Sequence, residues 1–98
     1  MTGQFLFHAI DRAGTGKLRQ VLRDEHRVAI RRADPRCRCI LGGPLFDGDG
    51  AMIGTALVFE ADDAAAVHAF MADDPYLRGG LFARFEVRRW AIGLGAIA

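Results

Sequence analysis

The chain has 98 residues, of which 51% are hydrophobic and 26% charged, and its formal net charge is +1. This composition is typical of a globular protein with one domain over residues 1–98, without a disordered or low-complexity block. Basic and acidic residues are interspersed, so nothing favours nucleic-acid binding. No apolar run resembles a signal peptide or a membrane span, so we expect no membrane partner and a cytoplasmic location.

The first part of the chain predicts a strand followed by a helix. Gln4 to Ile10 is a short apolar run that ends at Asp11, which is typical of a strand. Thr15 or Gly16 can cap a helix that continues to about Arg32. Apolar residues at helical spacing define the core-facing stripe of this helix: Leu18, Val21, Leu22, Ala29 and Ala33.

His26 lies beside this stripe, one turn after Leu22, at the predicted boundary between core and solvent. Most arginines of the helix are predicted on its solvated face: Arg23, Arg27, Arg31 and Arg32. Asp34-Pro35 ends the helix, because proline disfavours the α conformation in the residue before it.

A β-hairpin is predicted next. Its strands are Arg38 to Leu45 and Met52 to Glu60, joined by a turn rich in aspartate and glycine. The turn lacks the distal glutamate of a calcium loop, so we expect no metal there. Adjacent Gly42 and Gly43 suggest a bulge, or a close approach by a ligand or another backbone. The second strand of the hairpin is apolar on both faces, as in a sheet covered on two sides.

Cys37 and Cys39 are two residues apart in the predicted strand. Such residues point to the same face about 6.6–7 Å apart, which is poor disulfide geometry. A structural zinc site needs four ligands. We therefore expect reduced, half-buried thiols.

The second helix begins near Asp62, which can cap it, and buries Ala66, Val67, Phe70 and Met71. Pro75 requires this helix to end near Asp73 or Asp74. Asp74 would then lie at a helix C-terminus, where the macrodipole disfavours an anion, and would need a cationic or donor partner. We predict that this partner is His26.

Leu81 to Trp90 is predicted as the last strand, with Phe85 and Val87 alternating with charged residues. The order strand, helix, strand, strand, helix, strand predicts an α+β fold of ferredoxin-like β-α-β-β-α-β type, a two-layer sandwich. The second face of this sheet needs a cover, and a second copy of the chain is the simplest one. We therefore expect a homodimer.

Several short motifs occur in order between residues 4 and 90. They are Arg23-x-x-His26, Gly43-Pro44-Leu45, Gly54, Asp74-Pro75-Tyr76 and Gly80-Leu81, before a last strand that reaches Trp90. In this combination the chain resembles the YciI-like (YCII-related) family of small dimeric α+β barrel proteins. The resemblance implies that fold and a His–Asp active-site pair, His26 and Asp74. It also implies kinship with a dehydrochlorinase of chlorinated hydroxyquinol, although most members have no known reaction. Thr55 stands where many relatives have serine.

A histidine can take or give a proton near neutrality, and an aspartate on one ring nitrogen would fix its tautomer and leave the other nitrogen for a substrate. This chemistry suits elimination, isomerisation or dehydrohalogenation. The residues predicted to line the ligand pocket are His8, Arg23, Gly43, Pro44 and Tyr76. The alternatives are a hydrogen-bonded position at the sheet surface for His8 and a packing role for Tyr76. No redox-cofactor motif, P-loop or dinucleotide fingerprint is present, and no cofactor is expected.

Two functions remain open at this point. The first is a cofactor-independent enzyme of lyase or isomerase type that uses His26 and Asp74 on a small organic substrate. The second is a non-catalytic dimeric module that binds a small ligand or another protein. In the second case the His–Asp pair ties the second helix to the first and satisfies two half-buried polar groups.

Overall fold

The structure is a computed structural model that describes residues 2–97. The four strands are β1 (Gly3–Asp11), β2 (Cys37–Phe46), β3 (Met52–Ala61) and β4 (Phe82–Trp90). The helices are α1 (Gly16–Ala29), α2 (Ala64–Ala72) and the short α3 (Pro75–Arg78). The predicted elements are present, and only α3 was not expected.

The strands form one antiparallel sheet in the order β2-β3-β1-β4. The predicted α+β fold of ferredoxin-like type is therefore confirmed. Alternate residues of the central strand β1 face the helices, and Phe5, Phe7 and Ala9 are buried there. Phe59 of β3 and Phe70 of α2 complete this core with an edge-to-face aromatic contact at 5.3 Å.

The prediction for α1 is confirmed only in part. The helix ends at Ala29, three residues earlier than expected, and Val21 is 66% exposed. The buried residues of α1 are instead Arg19 and His26. Leu18 and Leu22 of the predicted stripe pack against the core, whereas Val21 and Ala33 are exposed. His26 is buried more deeply than predicted, and Arg19 is buried as well, because each has a buried polar partner.

Two local predictions about the helix ends were also wrong. Arg32 is half-buried rather than solvated, since its Nη2 donates a hydrogen bond to the Phe70 carbonyl at 2.7 Å and its guanidinium lies 3.9 Å from the Phe70 ring centre. The N-cap of α2 is Asp63, not Asp62, because Asp63 Oδ1 accepts the Ala66 N–H at 2.8 Å.

Cys37 and Cys39 are free thiols on the helix-facing side of β2, the first buried and the second half-buried. Burial raises the pKa of Cys37 to about 12, with a smaller contribution from Asp34. Burial also raises the pKa of Cys39. Both groups therefore remain protonated at neutral pH and are poor nucleophiles. No helix within residues 2–97 is long and apolar enough to cross a membrane.

Gly54 marks the point where β3 lies against β1 most tightly. A Cβ atom at this position would lie 2.2 Å from the carbonyl oxygen of Ala9, a backbone atom that cannot move aside alone. A side chain at Gly43 on the neighbouring strand would meet nothing within 4 Å. Steric exclusion therefore requires glycine at position 54 but not at position 43.

We predict that Gly54→Ala lowers the free energy of unfolding by about 1–3 kcal/mol, because the added methyl overpacks the sheet. Gly43→Ala is the matched control and should change it by less than about 0.5 kcal/mol. Urea unfolding followed by circular dichroism measures both variants. Equal stability of the two would contradict the close approach.

Candidate functional site

Asp74 stands between two helices. Helix α2 ends at Ala72, and Asp74 then begins α3 as its N-cap, in extended conformation before Pro75. Asp74 Oδ2 accepts the Tyr76 N–H at 2.9 Å. The predicted end of α2 is confirmed, but the prediction that Asp74 lies at an unfavourable helix exit is wrong. Its carboxylate serves the start of the next helix, where a negative charge is stabilised.

Helix α3 packs closely against α1. A Cβ at Gly79, the residue that ends α3, would lie 2.6 Å from Leu22 Cδ1 of α1. The absent side chain thus lets the two helices approach. This approach brings Asp74 Oδ1 to 2.7 Å from His26 Nδ1, with the Asp74 side chain 0% and the His26 side chain 7% exposed.

The contact defines the state of the imidazole. An ionised carboxylate only accepts hydrogen bonds, so His26 Nδ1 donates and Nε2 is the other ring nitrogen. Nε2 has no hydrogen-bond partner among residues 2–97. Every fully buried side-chain nitrogen or oxygen in these residues does have a partner, so Nε2 is not one of the buried atoms. Nε2 is therefore accessible rather than sealed inside the core.

His26 also stacks on an aromatic ring. Its imidazole and the Tyr76 ring are nearly parallel, with an interplanar angle of 14° and ring centres 3.9 Å apart. Burial raises the pKa of the Tyr76 hydroxyl, although Arg19 and Arg23 reduce the rise. The phenol is consequently a neutral hydrogen-bond donor at physiological pH.

A cavity of about 310 Å³ opens beside this pair. Its lining includes five of the seven residues predicted for the site: Arg23, His26, Gly43, Pro44 and Tyr76. Asp74 is not in the lining and contacts His26 from the protein side. The bulge or close backbone approach predicted at Gly42 and Gly43 is not found. A Cβ at Gly42 would instead lie 2.5 Å from a side-chain atom, Leu57 Cδ2.

His8 is the one predicted pocket residue that the structure removes from the cavity. It alternates with buried Phe7 and Ala9, so its side chain lies on the opposite face of the sheet. There its Nε2 lies 3.4 Å from Glu86 Oε2 on β4. The prediction placed His8 in the pocket from residue type alone, and the period of the strand determines otherwise.

Sequence reasoning missed a buried ion pair beneath the cavity. Arg19 Nε and Nη2 donate to Asp11 Oδ2 and Oδ1 at 2.7 and 2.9 Å, and Nη2 also donates to Thr55 Oγ1 at 2.8 Å. Burial lowers the pKa of Arg19, but Asp11 outweighs that effect and the pKa is raised. Arg19 lies seven residues before His26, so the two residues share one face of the helix. This spacing is the signal that could have revealed the buried position of Arg19.

This network joins the end of β1, the start of α1 and the middle of β3. The Arg19 guanidinium carbon also lies 4.8 Å from the centre of the Tyr76 ring. It therefore supports the aromatic ring that packs on His26. Within the part of the chain that the structure describes, no cluster of three or more His, Cys, Asp or Glu residues could hold a metal ion.

The fold and cavity define a ferredoxin-like protein with a histidine and an aspartate coupled at the pocket wall. The sequence model of the YCII-related domain matches residues 4–91, and the chain therefore belongs to the YCII-related domain family. No curated protein sequence is significantly similar to it.

One solved structure shares both fold and sequence. It is 5-chloro-2-hydroxyhydroquinone dehydrochlorinase (TftG) from Burkholderia phenoliruptrix in complex with 2,5-dihydroxybenzoquinone. It is 30% identical, with a TM-score of 0.80, over 92% of this chain and 95% of that chain.

Two other neighbours share the fold alone. A candidate antibiotic biosynthesis monooxygenase from Bacteroides thetaiotaomicron is 14% identical, with a TM-score of 0.61, over 99% of this chain and 94% of that chain. A protein from Mycobacterium tuberculosis is 20% identical, with a TM-score of 0.53, over 98% of this chain and 99% of that chain.

We predict that Asp74→Ala lowers the free energy of unfolding by about 2–4 kcal/mol, because the Tyr76 N–H and His26 Nδ1 both lose a buried acceptor. Asp73→Ala is the matched control. Its carboxylate is 75% exposed and only 4.0 Å from Arg32, so the change should be within about 0.5 kcal/mol. Thermal and urea unfolding measure both variants, and a stable Asp74→Ala protein would contradict the role given to this carboxylate.

Proposed function

We propose that this protein is a cofactor-independent enzyme of lyase or isomerase type, acting on a small organic substrate in the cavity beside His26. The observation that supports this most strongly is the 2.7 Å contact between His26 Nδ1 and Asp74 Oδ1, with the ring at the wall of a cavity. A histidine held in this way is oriented for proton transfer through its other nitrogen.

In the proposed reaction, His26 Nε2 accepts a proton from a substrate carbon beside a carbonyl, or from a hydroxyl. Asp74 stabilises the imidazolium that forms and keeps the ring in place. In an elimination, the electron pair of the broken C–H bond forms the new double bond, and the leaving group departs as an anion. The proton then returns to solvent or to the product from His26.

Two further groups have suitable positions. The neutral Tyr76 hydroxyl can donate to an oxygen that becomes negative during proton abstraction. The Gly42 and Gly43 backbone lies open on the cavity wall, where a substrate can approach peptide groups closely. Dehydrochlorination, the activity of the 30% identical relative, belongs to the same class of reaction.

His26→Gln should reduce kcat by roughly 100-fold or more, the usual contribution of a general acid or base, while the circular dichroism spectrum and unfolding midpoint remain close to wild type. The assay follows hydrogen–deuterium exchange and halide release with enolisable ketoacids and chlorinated hydroxyquinols. His68→Gln is the control, because His68 is exposed on α2 and outside the cavity.

Loss of stability without loss of turnover in His26→Gln would contradict the catalytic proposal and favour a structural pair. The second candidate function is a module that binds a small ligand without converting it, and the same cavity supports it. It would be favoured if a compound saturated the wild type but no bond or isotope exchange occurred.

We also propose that the protein is a homodimer formed through the sheet face that carries no helix. Three apolar side chains from neighbouring strands meet on that face: Leu6, Leu41 and Val58. Leu41 is 49% exposed, and Trp90 on the same face is 41% exposed. Covering this face with a second copy removes apolar area from water. The free thiols agree with the reducing cytoplasm as the proposed compartment.

Leu41→Glu should shift the wild-type dimer to monomer in light scattering coupled to size-exclusion chromatography, because a carboxylate at the interface must be desolvated. Val21→Glu is the control, since Val21 is 66% exposed on α1 and distant from that face. A monomeric wild type, or equal loss of dimer in both variants, would contradict the proposed interface.

A further inference from the structure

Arginine occurs at every fourth position along α1 and just beyond it: Arg19, Arg23, Arg27 and Arg31. Residues four apart lie on one face of a helix, so this run forms a continuous stripe. All four arginines line the cavity beside His26. The stripe therefore runs along one wall of the proposed substrate site.

The charges of the stripe are not balanced. Only Arg19 has a carboxylate partner, Asp11. Among the ion pairs of residues 2–97, none involves Arg23, Arg27 or Arg31. No aspartate or glutamate is part of the cavity lining either. The cavity consequently carries three uncompensated positive charges, although the whole chain has a net charge of only +1.

Folding alone does not account for this arrangement. Like charges four residues apart destabilise a helix by a few tenths of a kcal/mol per pair, about 0.2–0.5 kcal/mol. Arg31 Nη1 donates to the Arg27 carbonyl at 2.8 Å, which is a normal contact at a helix C-terminus. That contact explains Arg31 in part, but it gives no role to the guanidinium groups of Arg23 and Arg27.

The opposite wall is apolar. It is formed by strand residues, among them Pro44 of β2 and Met52 and Leu57 of β3. With a volume of about 310 Å³, the cavity suits a small molecule rather than a polymer. A guanidinium fork matches carboxylate and phosphate oxygens in geometry as well as charge.

We infer that the substrate is a small organic dianion with an apolar body, whose acidic groups bind Arg23, Arg27 and Arg31 while its reactive carbon lies at His26. This inference rests on the proposed function, because it assigns the substrate class of the same cavity. It identifies Arg27 and Arg31, which were predicted on the solvated face, as residues that determine specificity.

The test is isothermal titration calorimetry at constant ionic strength with small probes. Phthalate and phenyl phosphate are dianions with an apolar ring, and oxaloacetate is a dianion with an enolisable carbon. Benzoate is the aromatic monoanion and benzyl alcohol the aromatic neutral compound. At least one dianion should saturate the protein with an affinity about tenfold or more above that of benzoate, and benzyl alcohol should be weakest. The ratio follows from one additional charge-assisted hydrogen bond.

Arg27→Gln and Arg31→Gln should each weaken the preferred dianion by about tenfold and leave benzyl alcohol unchanged. Both residues are exposed, so the fold is retained. Arg36→Gln is the matched control, because it removes the same charge from an exposed loop residue outside the cavity. Phenyl phosphate against phthalate distinguishes a phosphate from a carboxylate ligand.

The inference is overturned if none of the three dianions saturates the protein, or if Arg36→Gln weakens binding as much as Arg27→Gln. Saturable binding of oxaloacetate without catalysed exchange of its enolisable protons would preserve the inference about the dianion and contradict the catalytic proposal. Turnover of a neutral compound at a rate that Arg27→Gln does not change would support the catalytic proposal and overturn the inference about the dianion.

Discussion

The buried carboxylate of Asp74 joins helices α1 and α3 at one point. Asp74 is fully buried, and it accepts one hydrogen bond from the backbone of the helix that it begins and one from a side chain of another helix. A buried charge of this kind is tolerated only when its oxygen atoms are satisfied. This requirement determines the position of α3, the orientation of His26 and the packing of Tyr76.

The cavity depends on the same junction. Tyr76 occupies the first turn of α3, where it stacks on His26 and lies near the guanidinium of Arg19. Arg19 in turn is held by Asp11 and Thr55 of the sheet. A chain of contacts therefore runs from the sheet through an arginine and two rings to the carboxylate. Displacement of any member changes the shape of the cavity, so the site is a property of the whole interface between α1, α3 and the sheet.

Most of the fold could be predicted because it follows from local signals. Pro75 ends α2, the glycine-rich turn joins β2 to β3, and alternation identifies the helix-facing side of β4. The candidate site could be predicted from the sequence only in part. The pairing of His26 with Asp74 was predicted from a carboxylate that needed a partner and from a resemblance. Arg19 was missed because an arginine on a helix is assigned to solvent by residue type, although its partner Asp11 is only eight residues away. His8 was misassigned because residue type was given more weight than strand period.

The chain contains a single tyrosine and a single tryptophan, and the fold separates them. Tyr76 lies at the cavity in contact with His26, while Trp90 is on the sheet face that has no helix. The two chromophores consequently report on different parts of the molecule. Near-ultraviolet dichroism of the phenol follows events in the cavity, and indole fluorescence follows events on the open face. The protein thus carries an intrinsic optical probe for each of its two surfaces, without any label.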